Sequence, residues 1–321
     1  MFFVIKIMDL YHKLIFHIHT KKKFLLCISG GQDSLALLKL ILDMKQYYTW
    51  TLGLIYFDHH YRIDSIINLK QVVNICKIAN IDLFVYESFT WNRSEQKNRN
   101  WRYNTVINIA HRYNYSTILL AHTLTDISEF FLQRVINASN LDNLNNFNLT
   151  LQTSSILNIM KPLLNVRRIE TYWLCRVFCL PIWSDLTNYK CSQSRNRLRQ
   201  EFVPYLQRFF QPKLEQKIVS FLQETQQDIE YLHKVTLRLY LLIKHPFWSA
   251  INYKTLLNQP LTLQSRTLKL FFKYILHKIL SIQDLKLIIF KLNATNFSTC
   301  IYTSNSYKIF LSDCWLYAII I

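Results

Sequence analysis

Glycine is nearly missing from this sequence, with three residues in 321, and proline is scarce, with six. Two of the three glycines nonetheless stand side by side as Gly30-Gly31, which marks a place where backbone must approach something closely. Acidic residues are short too: 20 Asp+Glu against 38 Lys+Arg leave a formal charge of +18 and a pI near 9.6. That imbalance is the footprint of a protein that meets a polyanion, against the blander reading of a basic surface kept for solubility. No run of roughly eighteen uncharged apolar residues occurs, so a membrane-spanning helix is not expected and the chain reads as soluble. No segment opposes a basic face to a Trp/Leu face as a membrane-surface helix would. The seven cysteines contain no Cys-x-x-Cys and are odd in number, in a chain too large to need disulfide staples. A reducing compartment fits. Cys175, Cys179 and Cys191 form the one cluster, read as buried thiols ahead of a metal or iron–sulfur site. The apolar start Met1-Phe2-Phe3-Val4-Ile5 is interrupted by Lys6 and Asp9 with no small-residue cleavage site, so a helix leading into the first strand is expected in place of a signal peptide. No internal repeat is visible.

Apolar runs of strand length alternate with helix-length periodic segments through the first half. Residues 24–29, 50–57, 83–87 and 117–121 read as strands, and 34–46, 65–80 and about 94–113 as helices. This alternation predicts an α/β fold, a doubly wound parallel sheet with ligands at the carboxyl ends of its strands. The Asn-rich stretch 137–158 loses periodicity and reads as a long exposed loop. A helix is expected over 166–179 and another from Asn196, kinked or ended by Pro204. Helical patterns at 218–244, 263–280 and 282–292 and short apolar runs at 299–302 and 307–321 predict a smaller, mostly helical domain closed by a hairpin. The expected domains are 1–205 and 211–321.

The glycine pair sits in Ser29-Gly30-Gly31-Gln32-Asp33-Ser34, between the first strand and the first helix. A strand, a tight turn and a helix N-terminus aim backbone N–H groups and the positive end of the helix dipole at one point, which suits a pyrophosphate. No Gly-Lys-Ser/Thr follows, so it is not a Walker loop. Each later strand end supplies another cluster: Asp58-His59-His60-Tyr61-Arg62, then Glu95, Arg99, Arg102 and Tyr103, then His122-Thr123-Leu124-Thr125-Asp126 with Glu129. Singly, acids at a helix start complement its dipole and a histidine is a loop residue. Four clusters at four strand ends are hard to ascribe to capping.

The Ser-Gly-Gly-x-Asp-Ser element resembles the PP-loop of the ATP pyrophosphatase superfamily. In order, the motifs resemble those of the tRNA(Ile)-lysidine synthetase family in its short, plastid-encoded form. Lys161-Pro162-Leu163-Leu164, Asp185-Leu186-Thr187-Asn188 and Arg195-Asn196-Arg197-Leu198-Arg199 continue the match, which runs over about 24–206. The sequence departs from the family where His60 replaces a glycine, Thr123 a histidine and Thr125 an aspartate, and where Asn140 and Asn143 stand for loop glycines. Asparagine is the residue that best tolerates a left-handed backbone in place of glycine.

The resemblance implies an enzyme that joins lysine to C2 of the wobble cytidine of a CAU-anticodon isoleucine tRNA, through an adenylated cytidine, releasing AMP and pyrophosphate. It implies ATP and Mg²⁺ as cofactors, with free L-lysine and that tRNA as partners. Ser29, Gly30, Gly31, Gln32, Asp33, Ser34, Asp58 and His59 would bind ATP, and Asp33 with Asp126 would hold Mg²⁺. Asp33, His122, Asp126, Glu129, Arg195 and Arg199 would be catalytic. Arg99 and Arg102 would take the lysine carboxylate or a phosphate, and Arg195 and Arg199 ATP phosphates or tRNA backbone. Lys213, Lys217, Arg238, Lys244, Lys269 and Lys273 would grip the tRNA. A tRNA thiolase, an amide-forming synthetase and a catalytically silent RNA-binding relic are the rival readings. The Phe-, Tyr-, Ile-, Asn- and Lys-rich composition fits an AT-rich genome, so plastid stroma is expected first and bacterial cytoplasm second. Oligomeric state is left open, a homodimer being one option.

Overall fold

The computed structural model of the protein describes residues 11, 23–58, 65–87, 95–138, 141–144, 150–152, 157–183, 194–276, 280–294, 300–304 and 307–320. The expected N-terminal helix, His59, His60, Arg62, the Asp185–Asn188 element and Cys191 lie outside them. The chain forms two compact units, Met1–Gln223 and Glu224–Ile321.

The first unit is built on β1 (Lys23–Ile28), β2 (Thr51–Asp58), β3 (Asp82–Glu87), β4 (Thr117–Leu119), β5 (Thr150–Gln152) and β6 (Asn158–Met160), in the order β3-β2-β1-β4-β6-β5. All pairs are parallel except β5 with β6. The helices between them are α1 (Gln32–Lys45), α2 (Ser65–Ala79), α3 (Glu95–Arg112), α4 (Leu124–Ile136) and the short α5 (Leu141–Leu144). Period-two alternation explains why both faces are covered. Phe24, Leu26 and Ile28 of β1 pack with Leu35, Leu38 and Ile41 of α1 and Val72 of α2. The intervening Leu25 joins Ile55, Ile118 and Ile159 against Val106, Ile109 and Ala110 of α3. Strand order reverses between β1 and β4, whose neighbours β2 and β6 lie on opposite sides, so a crevice opens at the carboxyl ends of those two strands.

The described residues of the stretch 137–158, expected as a loop, include α5, β5 and the start of β6. Three-residue strands are too short for a periodic signal to emerge among asparagines. The residue with positive φ there is Ala138 (φ 48), while Asn143 sits in α5 and Asn140 lies outside the described residues. The third glycine, Gly53 on β2, has a packing reason: a Cβ there would lie 2.2 Å from the hydroxyl of the buried Tyr115.

After β6, a turn closed by Leu164 N–H to Lys161 C=O and Val166 N–H to Leu163 C=O leads to α6 (Arg168–Val177). A later helix changes pitch along its length. It runs as α7 (Ser194–Arg197), a π-helical turn over Leu198–Phe202 and α8 (Val203–Phe209). Pro204, at the start of α8, has no N–H for the preceding turn and its ring crowds the carbonyl there, so the backbone widens and Val203 N–H reaches Leu198 C=O. Then α9 (Leu214–Ile243) begins inside the first unit, where Ile218 and Leu222 pack on Ile127 and Leu164 and the Phe221 ring meets Phe131 edge-on at 5.9 Å. The boundary between units thus falls within α9, beyond the expected 205–211, because the first turns of that helix complete the core under α4.

The second unit is mostly helical, as expected, but carries more than a lone hairpin beside its helices. Its strands β7 (Ala250–Asn252), β8 (Cys300–Ser304), β9 (Tyr307–Ser312) and β10 (Trp315–Ile320) form an antiparallel sheet ordered β7-β10-β9-β8. Asp313, with φ 55, turns the expected single run 307–321 into two strands. Beside the sheet lie α10 (Tyr253–Leu257), α11 (Leu261–Leu276) and α12 (Ile282–Ala294), whose Leu268, Phe271, Phe272 and Ile288 pack with Ile309, Leu311 and Leu316. Among the described residues no helix is long and apolar enough to cross a membrane.

Candidate active site

The Gly-Gly turn leaves β1 and caps α1. Gly30 has φ +77, a conformation few side chains adopt, and a Cβ there would lie 2.0 Å from Oδ1 of Asn68. Asn68 on α2 is buried and donates to Ser29 C=O at 3.0 Å and to the Tyr56 hydroxyl at 3.1 Å, so it cannot give way cheaply. Ser29 and Ser34 close the turn: their hydroxyls are 3.2 Å apart, Ser34 donates to Gly31 C=O at 2.9 Å, and Ser29 N–H donates to the Ser34 hydroxyl at 3.3 Å. Trp183 N–H donates to Gly30 C=O from the other side at 3.0 Å.

Gly31 is different. It has φ −76 and ψ 164, and a Cβ would meet Ser29 Oγ at 3.4 Å, an ordinary contact. Nothing in the protein demands glycine there. As the N-cap of α1 it offers no side chain to the first-turn N–H groups of Gln32, Asp33 and Ser34, which are left facing outward with the helix dipole behind them. Two substitutions should therefore part company. Gly30→Ala should cost about 2–4 kcal/mol of stability through strain and displacement of Asn68. Gly31→Ala should melt within about 2 °C of the parent yet bind ATP roughly tenfold or more weakly. Thermal melts and ATP titration check both.

Asp33 is clamped from α6. Its Oδ1 accepts from the Thr171 hydroxyl at 2.5 Å and its Oδ2 faces Arg168 at 3.5 Å. Gln32 Nε2 donates to Arg168 C=O at 3.0 Å, and the Cys175 thiol donates to Gln32 C=O at 3.3 Å. Burial pushes the Asp33 carboxyl above its ordinary value, Arg168 and Thr171 draw it down, and the charge of Asp126 across the crevice adds to the rise. Among the described residues no group of three or more His, Cys, Asp or Glu side chains is assembled as a metal site, so a divalent cation here would depend on phosphate oxygens for most of its ligands.

At the end of β4, Thr123 N–H and hydroxyl donate to Asp126 Oδ2 at 2.8 and 3.0 Å, so the acid is oriented by its own helix start. Its Oδ1 takes Arg195 Nη2 at 2.8 Å, with Arg199 Nη2 at 3.4 Å. Glu129, one turn on and 1% exposed, takes Arg195 Nε at 3.0 Å on Oε2, Arg199 Nη2 at 2.8 Å on Oε2 and Arg199 Nε on Oε1. Two acids and two arginines thus make one network. Burial would raise the Asp126 carboxyl, but Arg195, the Thr123 N–H, His122 and Arg199 together hold it below the ordinary carboxylate range. His122 is half-buried beside this acid.

The structure brings together Ser29 to Ser34, His122, Asp126, Glu129, Arg195 and Arg199 at the two strand ends. Arg195, on α7, and Arg199, in the π-helical turn, both pair with the acids of α4. Asp58 is buried at the end of β2, next to Tyr56. Arg102, half-buried on α3, lies close enough to the Cys27 thiol on β1 to offset part of the rise that burial causes there. His59 and the Arg99 side chain lie outside the described residues. Lys213 and Lys217 belong to the first unit, while Arg238, Lys244 and Lys273 are exposed on the second and Lys269 is half-buried.

Sequence reasoning missed Asn68, Arg168, Thr171 and Glu215. The Arg167-Arg168 pair, two residues beyond Lys161-Pro162-Leu163-Leu164, was the available signal. Leu124 N–H donates to Val166 C=O at 2.9 Å and Arg168 N–H to Thr125 Oγ1 at 3.2 Å, so that segment ties the two halves of the crevice together. Burial raises the Glu215 carboxyl, and its bond to Thr125 offsets part of that rise. Thr125, a departure from the expected aspartate, has become a structural bridge.

Residues 3–206 match the PP-loop domain family. The chain is 41% identical over 293 residues to the chloroplastic tRNA(Ile)-lysidine synthase of Pyropia yezoensis, covering 91% of this chain and 88% of that protein. It is 34% identical to the chloroplastic enzyme of the same name from Gracilaria tenuistipitata var. liui, over 91% of each. Among solved structures, a U34-tRNA thiolase from Methanococcus maripaludis superposes with a TM-score of 0.58 at 16% identity, covering 68% of this chain and 79% of that one, a likeness of fold. With a PP-loop domain match over residues 3–206 and this similarity along nearly its whole length, the chain belongs to the tRNA(Ile)-lysidine synthase family of ATP-using ligases.

Proposed function

We propose that this protein joins free L-lysine to C2 of the wobble cytidine of a CAU-anticodon isoleucine tRNA in two steps, so that the tRNA reads AUA in place of AUG. The observation that carries the reading is the meeting, at one crevice, of the vacant first turn of α1 with the Asp126–Glu129 pair. ATP's terminal phosphates lie on the N–H groups of residues 32–34, with the Ser29 and Ser34 hydroxyls beside them. The α-phosphorus then faces α4.

Asp33 and Asp126 would hold Mg²⁺, which would supply positive charge to the departing pyrophosphate. Cytosine O2 attacks the α-phosphorus, pyrophosphate leaves, and the C2–O bond now carries an AMP leaving group. The ε-amine of lysine attacks C2 and AMP departs with the oxygen. At pH 7 only about one lysine in two thousand carries a neutral ε-amine, so the site must take up a proton. Asp126 and Glu129 draw in the ammonium, and His122 lies within their field to accept its proton. Arg195, half-exposed, is the member of the network able to turn to a phosphate while Arg199 keeps hold of Glu129. Arg102 and Arg99 take the lysine carboxylate. The basic surface holds the tRNA through its phosphates. We place the activity in the plastid stroma, in line with the chloroplastic relatives, with bacterial cytoplasm as the alternative.

Of the thiols a thiolase could use, Cys175 is poorly suited, being buried, bonded to Gln32 C=O and pushed up to about 12 by burial, with Asp33 adding to the rise, whereas Cys179 is exposed and not the buried thiol expected of it. The test is incubation with ATP, labelled lysine and a CAU transcript. Lysine incorporation matched by AMP release is expected, with none into a transcript bearing U at the wobble position. Incorporation that ignores the wobble base would overturn the reading.

A further inference from the structure

At the end of α8 three aromatic side chains stand in water next to one another. Tyr205, Phe209 and Phe210 are 53%, 63% and 70% exposed, and Val203 is the one buried residue of the helix. The three rings touch: Tyr205 lies 5.0 Å from Phe209 and 5.9 Å from Phe210 between centroids, and the Arg208 guanidinium sits 5.3 Å over the Phe209 ring. Rings clustered in water with a cation on one face offer π-surface to a planar partner.

We infer that Tyr205, Phe209 and Phe210 form a stacking platform for unpaired RNA bases next to the nucleotide modified in the crevice. The identity of that RNA rests on the proposed function. Position supports it: the π-helical turn passes into α8 without a break, so Tyr205 lies about 9 Å along the axis from Arg199, which itself grips Glu129. A cytidine drawn out of its loop into the crevice leaves its neighbours unstacked at about that distance. Charge supports it as well. Arg208 and Lys213 make the stretch around the rings basic, with no acid in 202–213, while Arg195 and Arg199 are paired with Asp126 and Glu129 and Arg197 faces Glu201 at 3.5 Å. A second copy seated on this face about a two-fold axis would set that basic belt against itself, whereas an RNA loop brings phosphates to it.

The test compares the parent with a Tyr205→Ala/Phe209→Ala/Phe210→Ala variant, whose rings are exposed enough to leave the fold intact; unchanged melting and ATP affinity verify that. Affinity is measured for a hairpin carrying the CAU anticodon loop and for a fully paired RNA duplex of equal length. The variant is expected to lose roughly 10- to 100-fold on the hairpin and about twofold or less on the duplex, with Phe209→Trp retaining parental affinity. Equal losses on both RNAs, an unchanged hairpin affinity, or a change confined to the sedimentation of the protein would overturn the inference. Should the parent show the ring-dependent preference yet incorporate no lysine, the proposed reaction falls and the platform stands.

Discussion

Asp33→Asn is expected to lower turnover by roughly a thousandfold or more while leaving the fold at least as stable as the parent. The activity loss follows from removing one of the two carboxylates that the proposed function sets beside the ATP phosphates. The stability gain follows from burial. An aspartate titrates near 3.9 in the unfolded chain, and burial moves Asp33 upward in the folded one despite Arg168 and Thr171. A carboxyl raised in this way binds its proton more tightly when folded. Its ionised form therefore costs stability at neutral pH, and acidification through the folded value relieves that cost. Thermal melts should show the variant's advantage at pH 7 and its disappearance as pH falls through the carboxylate range. Asp126 carries the opposite sign: held below its unfolded value, it contributes stability above that value which is lost as pH falls through the folded one. An Asp33→Asn protein with parental turnover would remove Asp33 from the chemistry.

Glu129→Ala should have the largest structural effect of any single change at the site. The glutamate side chain is fully enclosed and accepts three hydrogen bonds from two guanidiniums. Removing one partner of a buried charge network costs about 3–5 kcal/mol, because what remains keeps its desolvation penalty without its counter-charge. Arg195 is half-exposed and can turn to water; Arg199, only 20% exposed, cannot do so as readily, so the loss should stay near the lower half of that range. For a unit of this size each kcal/mol moves melting by about 2–4 °C, so a fall of roughly 6–14 °C is expected. Glu129→Gln, which keeps the shape and two hydrogen-bonding groups, should fall by less. A melting temperature unchanged in both variants would mean that the network does not hold α4 to the segment around the π-helical turn.

Much of this site was legible because its chemistry is local. Ser29 to Ser34 lie on six consecutive residues, and Asp126 and Glu129 on one helical turn, so strand-then-helix periodicity alone puts them at strand ends. The sheet order then follows from parallel connections. What the sequence hid is tertiary. No spacing rule links Arg195 to Asp126 across 69 residues, and a π-helical turn forced by Pro204 has no hydrophobic signature. The clamp on Asp33 comes from Thr171, a residue type common enough to carry no signal. The place where the two units part, within α9, carries no sequence signal because α9 is one uninterrupted helix whose two halves serve different cores, and the second sheet was hidden because three- to six-residue strands among helices leave little alternation to read. Gly31 needed both sources: the sequence marks its rarity, and the geometry shows that the protein itself does not require it.

The central claim is that the turn after β1 holds the terminal phosphates of ATP so that a base carbonyl can attack the α-phosphorus from the side of α4. A crystal structure with a non-hydrolysable ATP analogue tests it most directly. The account predicts the β- and γ-phosphates within hydrogen-bonding distance of the N–H groups of residues 32–34, with the α-phosphorus turned toward Asp126. An analogue bound elsewhere, or a triphosphate running from that turn away from α4, would contradict it.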